Sequence, residues 1–144
     1  MEDSFADKLK KRTKELAVSV IKYSRKIPKS EEGYIVKKQL IRSATSVAAN
    51  YRACCRGRSE AEFFAKLSIA VEEADETAFW LEIIEEAEIH SGPEHSKVAA
   101  EANEILKILA RSRKTLKDKR QSKTDKLSEP KVKYKRKDKL MLTH

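Results

Sequence analysis

Between Ile41 and Glu82 the chain has no proline and a single glycine, Gly57. Those two residue types weaken a helix interior most, so their near absence over such a length predicts long helices. The stretch divides at Arg56-Gly57-Arg58-Ser59. Before it, small residues dominate (Ser43, Ala44, Thr45, Ser46, Val47, Ala48, Ala49), bracketed by Arg42, Arg52, Arg56 and Arg58. After it comes an acid-rich run, Glu72-Glu73-Ala74-Asp75-Glu76, and then Trp80. Two helices joined by a tight turn satisfy this pattern. Gly57 is the expected left-handed residue closing the first, and Ser59 with Glu62 has the spacing of a capping box opening the second.

The flanking sequence supplies two more helices. Leu9, Leu16, Val20, Tyr23 and Ile27 recur with helical spacing, which predicts a first helix from about Asp3 to Lys26, stopped by Pro28. In the second helix, Glu31 to Arg56, one stripe holds Val36, Leu40, Ala44, Val47, Tyr51 and Cys55. Its outer face is basic at both ends (Lys38, Arg42, Arg52, Arg56) and small in the middle (Thr45, Ala49), a profile that suits either solvent or a closely approaching helix or subunit. The third, running to about Ile89, has an inner stripe of Phe63, Leu67, Ala70, Ala74, Thr77 and Leu81. A second stripe holds Ile69, Trp80, Ile83 and Ala87. Trp80 there either packs on a neighbouring helix or anchors a subunit contact. After Ser91-Gly92-Pro93 a fourth helix carries Val98, Ala102, Ile105, Leu109 and Leu116, and is expected to fade between Arg113 and Arg120. These elements predict an all-α fold, an antiparallel up-down-up-down four-helix bundle over residues 1–112. The remaining residues, 113–144, form a basic C-terminal extension. Its composition predicts disorder, or a terminal helix or strand that orders only against a partner.

Charge is informative by segment. Residues 1–58 hold 15 Lys and Arg against 6 Asp and Glu, residues 59–92 hold 1 against 10, and residues 111–144 hold 14 against 4. The overall +9 therefore resides in the extension, while the basic and acidic parts of the body nearly cancel. No apolar run approaches the length needed to span a bilayer, and Met1 to Lys11 lacks the apolar stretch of a signal peptide, so a cytoplasmic protein without membrane contact is expected. Adjacent Cys54 and Cys55 read as small core residues in a reducing compartment.

Catalytic groups are not gathered by any motif. His90 and His95 flank the Gly-Pro break and read as residues of a solvated turn, and His144 ends the sequence. No Glu-x-x-His pair provides a di-metal ligand set, and neither a Gly-rich phosphate loop nor a serine nucleophile motif occurs. The expectation is a non-enzyme with no cofactor and no metal. One polar cluster stands out: Glu73 and Glu76 of the third helix are placed to reach Arg42 across the hairpin, with Asn50 on the same side, as a structural ion pair or as a ligand or subunit site.

Three blocks in this order, Ile41–Arg52 (IRSATSVAANYR), Arg58–Phe63 (RSEAEF) and Glu72–Glu82 (EEADETAFWLE), resemble the four-helix bundle proteins of the 23S rRNA intervening-sequence family, bacterial proteins loosely called ribosomal-protein-like. The resemblance spans about residues 5–112. It implies a ring-like homo-oligomer, typically a pentamer. The family in turn resembles the accessory protein of diversity-generating retroelements, a basic pentameric bundle that binds nucleic acid and a reverse transcriptase. The long basic extension and the strongly acidic third helix depart from that pattern.

The resulting expectation is an oligomeric adaptor that contacts nucleic acid, RNA above all, through phosphates. In the extension and just before it the candidates are Arg111, Arg113, Lys114, Lys117, Lys131, Lys133, Lys135, Arg136 and Lys137; on helix two they are Lys38, Arg42, Arg52 and Arg56. Thr45, Ala49, Ile69, Trp80 and Ile83 are the candidate self-assembly surface. The competing expectation is a protein-interaction scaffold with no nucleic-acid role.

Overall fold

The computed structural model describes residues 2–142, with side chains to residue 127. Four α-helices follow one another: α1 (Phe5–Ser24), α2 (Glu31–Cys55), α3 (Glu60–Glu86) and α4 (Pro93–Leu142). No strand occurs among the described residues.

Serine opens three of the four. Ser4, Ser30 and Ser59 each adopt an extended backbone and accept a hydrogen bond from the N–H three residues on, at Asp7, Gly33 and Glu62. Each thereby satisfies one of the donors that a helix start leaves unpaired. At α3 the Glu62 carboxylate reaches back and accepts from the Arg58 N–H at 3.0 Å, one residue before the position a capping box uses. Gly57 departs from expectation. α2 closes on Arg56 at φ −100°, and Gly57 does not take a positive φ. A side chain would fit tightly there, since a Cβ would lie 3.1 Å from the Cys54 carbonyl oxygen and 3.3 Å from the Phe63 nitrogen. The left-handed residue appears at the other end of α3. Glu88 has φ 58°, the Ile89 N–H returns to the Ile84 carbonyl at 2.9 Å and the Glu88 N–H to the Glu85 carbonyl at 3.0 Å, a Schellman closure.

Helix directions follow from which residues meet. Ser43 of α2 faces Thr77 of α3 while Cys54 faces Phe63, and Ser68 of α3 faces Arg113 of α4 while Leu81 faces His95. Arg12 of α1 meets Glu101 of α4, and Lys26, just past α1, meets Glu94. Each of these pairs is antiparallel. The core they enclose contains Leu16, Val20, Tyr23, Leu40, Val47, Leu67, Leu81, Ile84, Ile105 and Leu109, all essentially without exposure. One hydroxyl pair is buried among them: the Ser43 and Thr77 oxygens lie 3.0 Å apart, and each also lies within hydrogen-bonding distance of a carbonyl of its own helix, Leu40 and Glu73. Cys54, rather than Cys55, is the buried cysteine, its thiol donating to the Phe63 carbonyl.

Two expectations are corrected here. His95 is not in a solvated turn: it is buried, its Nε2 lies 2.8 Å from the Leu81 carbonyl, and its ring packs edge-on against Tyr23. His90 is half-buried and pairs through Nδ1 with the Tyr23 hydroxyl at 3.0 Å. The fourth helix does not fade between Arg113 and Arg120. Lys114–Asp118 and Gln121–Asp125 pairs one turn apart support it locally, where no glycine or proline intervenes. Residues 1–113 form one compact unit and 114–144 a second. No described helix is long and apolar enough to cross a membrane.

Candidate functional site

Asp7, Lys10, Lys11 and Lys14 occupy one face of α1, because residues three and four apart on a helix are surface neighbours. The C-terminal half of α2 runs beside them and contributes Ala48, Ala49, Arg52, Ala53 and Arg56. The following turn and the start of α3 add Arg58, Glu62 and Lys66. Together they line an open groove of about 950 Å³. Seven of the lining side chains are cationic and two are carboxylates. Ala48, Ala49 and Ala53 end at Cβ, so an occupant can approach the α2 backbone closely.

Both carboxylates are already engaged in capping their own helices. Hydrogen bonds from Ser4 hold the Asp7 carboxyl below its ordinary range, with a further contribution from Lys10, 3.7 Å away. Glu62 accepts from the Arg58 N–H. The groove therefore presents a strongly positive lining whose negative groups are committed elsewhere. Such a lining suits an anionic occupant, and it gathers no convergent acid, base or nucleophile. Among the described residues no three His, Cys, Asp or Glu side chains come together as a metal site.

Of the candidates on α2, Arg52 and Arg56 are in this groove and Lys38 and Arg42 are not. Lys38 is exposed further toward the N-terminus of α2. Arg42 lies on the α2/α3 seam. It donates to Glu73 at 2.9 Å, to Glu76, and to Gln39 at 3.3 Å, and the Glu76 bond above all raises its pKa further. Asn50 is not part of that cluster and bonds to Ser46 instead. Arg113 is likewise occupied: its Nε donates to the Ser68 hydroxyl at 2.8 Å, and its guanidinium stands 4.9 Å from the centre of the Phe64 ring. Arg111 is exposed on the same unit. On the second unit Lys114 pairs with Asp118, and Lys117 is exposed. Lys131, Lys133, Lys135, Arg136 and Lys137 lie outside the residues whose side chains are described.

The residues singled out for self-assembly divide. Ala49 lines the groove, and Thr45 is half-buried with its hydroxyl tied to the Ile41 carbonyl at 2.7 Å. Ile69 is exposed, while Trp80 and Ile83 are half-buried on the same face of α3. Trp80 meets the exposed Phe79 edge-to-face at 5.0 Å and donates a long bond of 3.5 Å to Glu76.

Lys10, Lys11, Lys14, Arg58 and Lys66 were not among the sequence candidates. The α1 lysines do share one helical face with three- and four-residue spacing. What makes them a site is their position beside the far end of α2, a tertiary fact that no single-helix pattern contains.

Comparison with known proteins bears on these features together. The family profile described as 23S rRNA-intervening sequence protein matches residues 7–111. A solved structure of a protein of unknown function in the S23 ribosomal protein family, from Bacteroides thetaiotaomicron, is 30% identical. It superposes with a TM-score of 0.69 over 76% of this chain and 97% of its own length. No curated protein matches.

Proposed function

The chain belongs to the 23S rRNA-intervening sequence protein family, and on that footing we propose that it is a non-enzymatic, oligomeric adaptor that binds nucleic acid through phosphate contacts. The observation that carries this reading is the groove, in which cations from α1, α2 and the start of α3 converge on one open surface. Arg52 and Arg56 bind there with Lys10, Lys11 and Lys14. The basic extension, with 13 Lys and Arg against 4 Asp and Glu in residues 113–144, adds sequence-independent attraction. Copies of the chain assemble into a homo-oligomer, a pentamer as the family resemblance implies, and gather their extensions so that weak contacts reinforce one another. The protein acts in the cytoplasm and uses no cofactor.

Salt dependence tests it. Log affinity for RNA should fall steeply and linearly with log salt, and removing residues 114–144 should reduce the slope. The truncation keeps Arg113, which is bonded into the bundle. Absence of RNA binding even at low ionic strength sinks the reading. The second reading is a protein-interaction scaffold, supported by the apolar face of Ile69, Phe79 and Trp80 on α3. Light scattering, and identification of what copurifies with the protein, separate the two.

A further inference from the structure

We propose that the α1/α2 groove grips the phosphate backbone of double-helical nucleic acid rather than an unstacked single strand, an inference that rests on the nucleic-acid reading above. Single-strand sites combine a basic track with aromatic side chains on which bases stack, each stack contributing about 1–3 kcal/mol. No aromatic residue lines this groove. The exposed aromatics of the bundle are elsewhere. Phe5 is two residues from Asp7, which at about 100° per residue turns it to the far side of α1. Tyr34 is 18 residues before Arg52, about 27 Å along α2 at 1.5 Å per residue. Phe79 belongs to the opposite half of α3 from Lys66.

Free acceptors for the amino groups of bases are lacking as well. Apart from backbone, the acceptors of the lining are Asp7 and Glu62, and both are held by helix caps. What remains is long cationic side chains on both walls and alanines between them. Lys10 and Lys14 on one wall, and Arg52 and Arg56 on the other, are each one helical turn apart, about 6 Å. Two such rows flank a ridge of phosphates, and Ala49 and Ala53 leave room for it. A duplex presents that ridge already ordered and at twice the axial charge density of one strand. A single strand would lose its conformational freedom here with no stacking to offset the loss.

The experiment uses the full chain, a blunt RNA duplex, and an unstructured oligouridine of equal strand length, with anisotropy titrations over a range of salt. The duplex should bind about tenfold tighter than the single strand, with little dependence on sequence. Arg52→Ala/Arg56→Ala should erase that preference and reduce the duplex log–log slope by about 2, because each lost phosphate contact removes about 0.9. Both arginines are exposed, so the variant should keep its thermal unfolding midpoint; Lys10→Gln/Lys14→Gln provides an independent second variant with the same expected effect. Equal or tighter binding of oligouridine overturns the proposal while leaving the nucleic-acid reading intact. So does an unchanged duplex slope in both variants, which would assign all binding to other basic residues. Binding of neither probe at low salt overturns both.

Discussion

Tyr23 and Cys54 show how burial at a single residue becomes a property of the fold. Burial first, then the charges of Glu94 and Glu85, pushes the Tyr23 hydroxyl up to about 12 from its ordinary 10.0. Burial, then Cys55, pushes the Cys54 thiol to about 12 from 9.0. In the unfolded chain both release their protons near the ordinary values, whereas the folded chain holds them. Their contribution to stability is therefore complete below pH 9 and is lost progressively as pH rises toward 12. Urea midpoints measured from pH 8 upward should begin to fall near pH 9. Cys54→Ala should delay that onset toward pH 10, and a flat profile to pH 11 would contradict the assignment. Arg42 illustrates the opposite limit. Its side chain is 48% exposed, and an ion pair in water contributes little. Arg42→Ala should cost no more than about 1 kcal/mol in chemical denaturation. If light scattering shows assembly lost while the monomer stays folded, Arg42 serves a subunit contact instead.

At the level of elements, the connection between α1 and α2 packs closely against the first turn of α2. A Cβ at Gly33 would fall 2.3 Å from the Pro28 carbonyl oxygen and 2.8 Å from the Ser30 hydroxyl. The first of these is backbone and cannot turn aside. Gly33→Ala should therefore destabilise by about 1–3 kcal/mol despite alanine's higher helix propensity, measured by thermal or urea unfolding. The helices themselves were legible because their stripes repeat: Leu16, Val20 and Tyr23, or Leu67, Ala70 and Ala74, are buried where spacing put them. Their ends were less so. A glycine between two helices suggests a left-handed closure at Gly57, but Gly57 does not take a positive φ, and what distinguishes the position is close approach to the Cys54 carbonyl and the Phe63 backbone. The continuity of α4 through Arg113–Arg120 is not legible in apolar periodicity, which fades there, and side-chain pairs such as Lys114–Asp118 accompany it instead. Likewise His95, which looked like a turn residue, is buried because α4 begins early enough to bring it under Tyr23.

For the molecule as a whole, the sequence showed that charge is segregated but not that it is focused. Arg52 and Arg56 were visible on α2, and Lys10, Lys11 and Lys14 on α1. Only antiparallel packing brings the two sets to one groove. Meanwhile residues 59–92 carry ten carboxylates with Lys66 as their sole cation, and Lys66 sits at the groove. Charge on the bundle is consequently uneven, with seven cations gathered at the groove and ten carboxylates in residues 59–92. A polyanion acts on such a body as a torque as well as an attraction, so encounters become oriented before contact. Stopped-flow association with RNA should slow by at least about tenfold as salt rises from low to near-molar, while dissociation changes less. For the nucleic-acid binding proposed above, the acidic helix then has a use in diffusion: it turns the wrong side of the protein away, and shortens the rotational search for the right one.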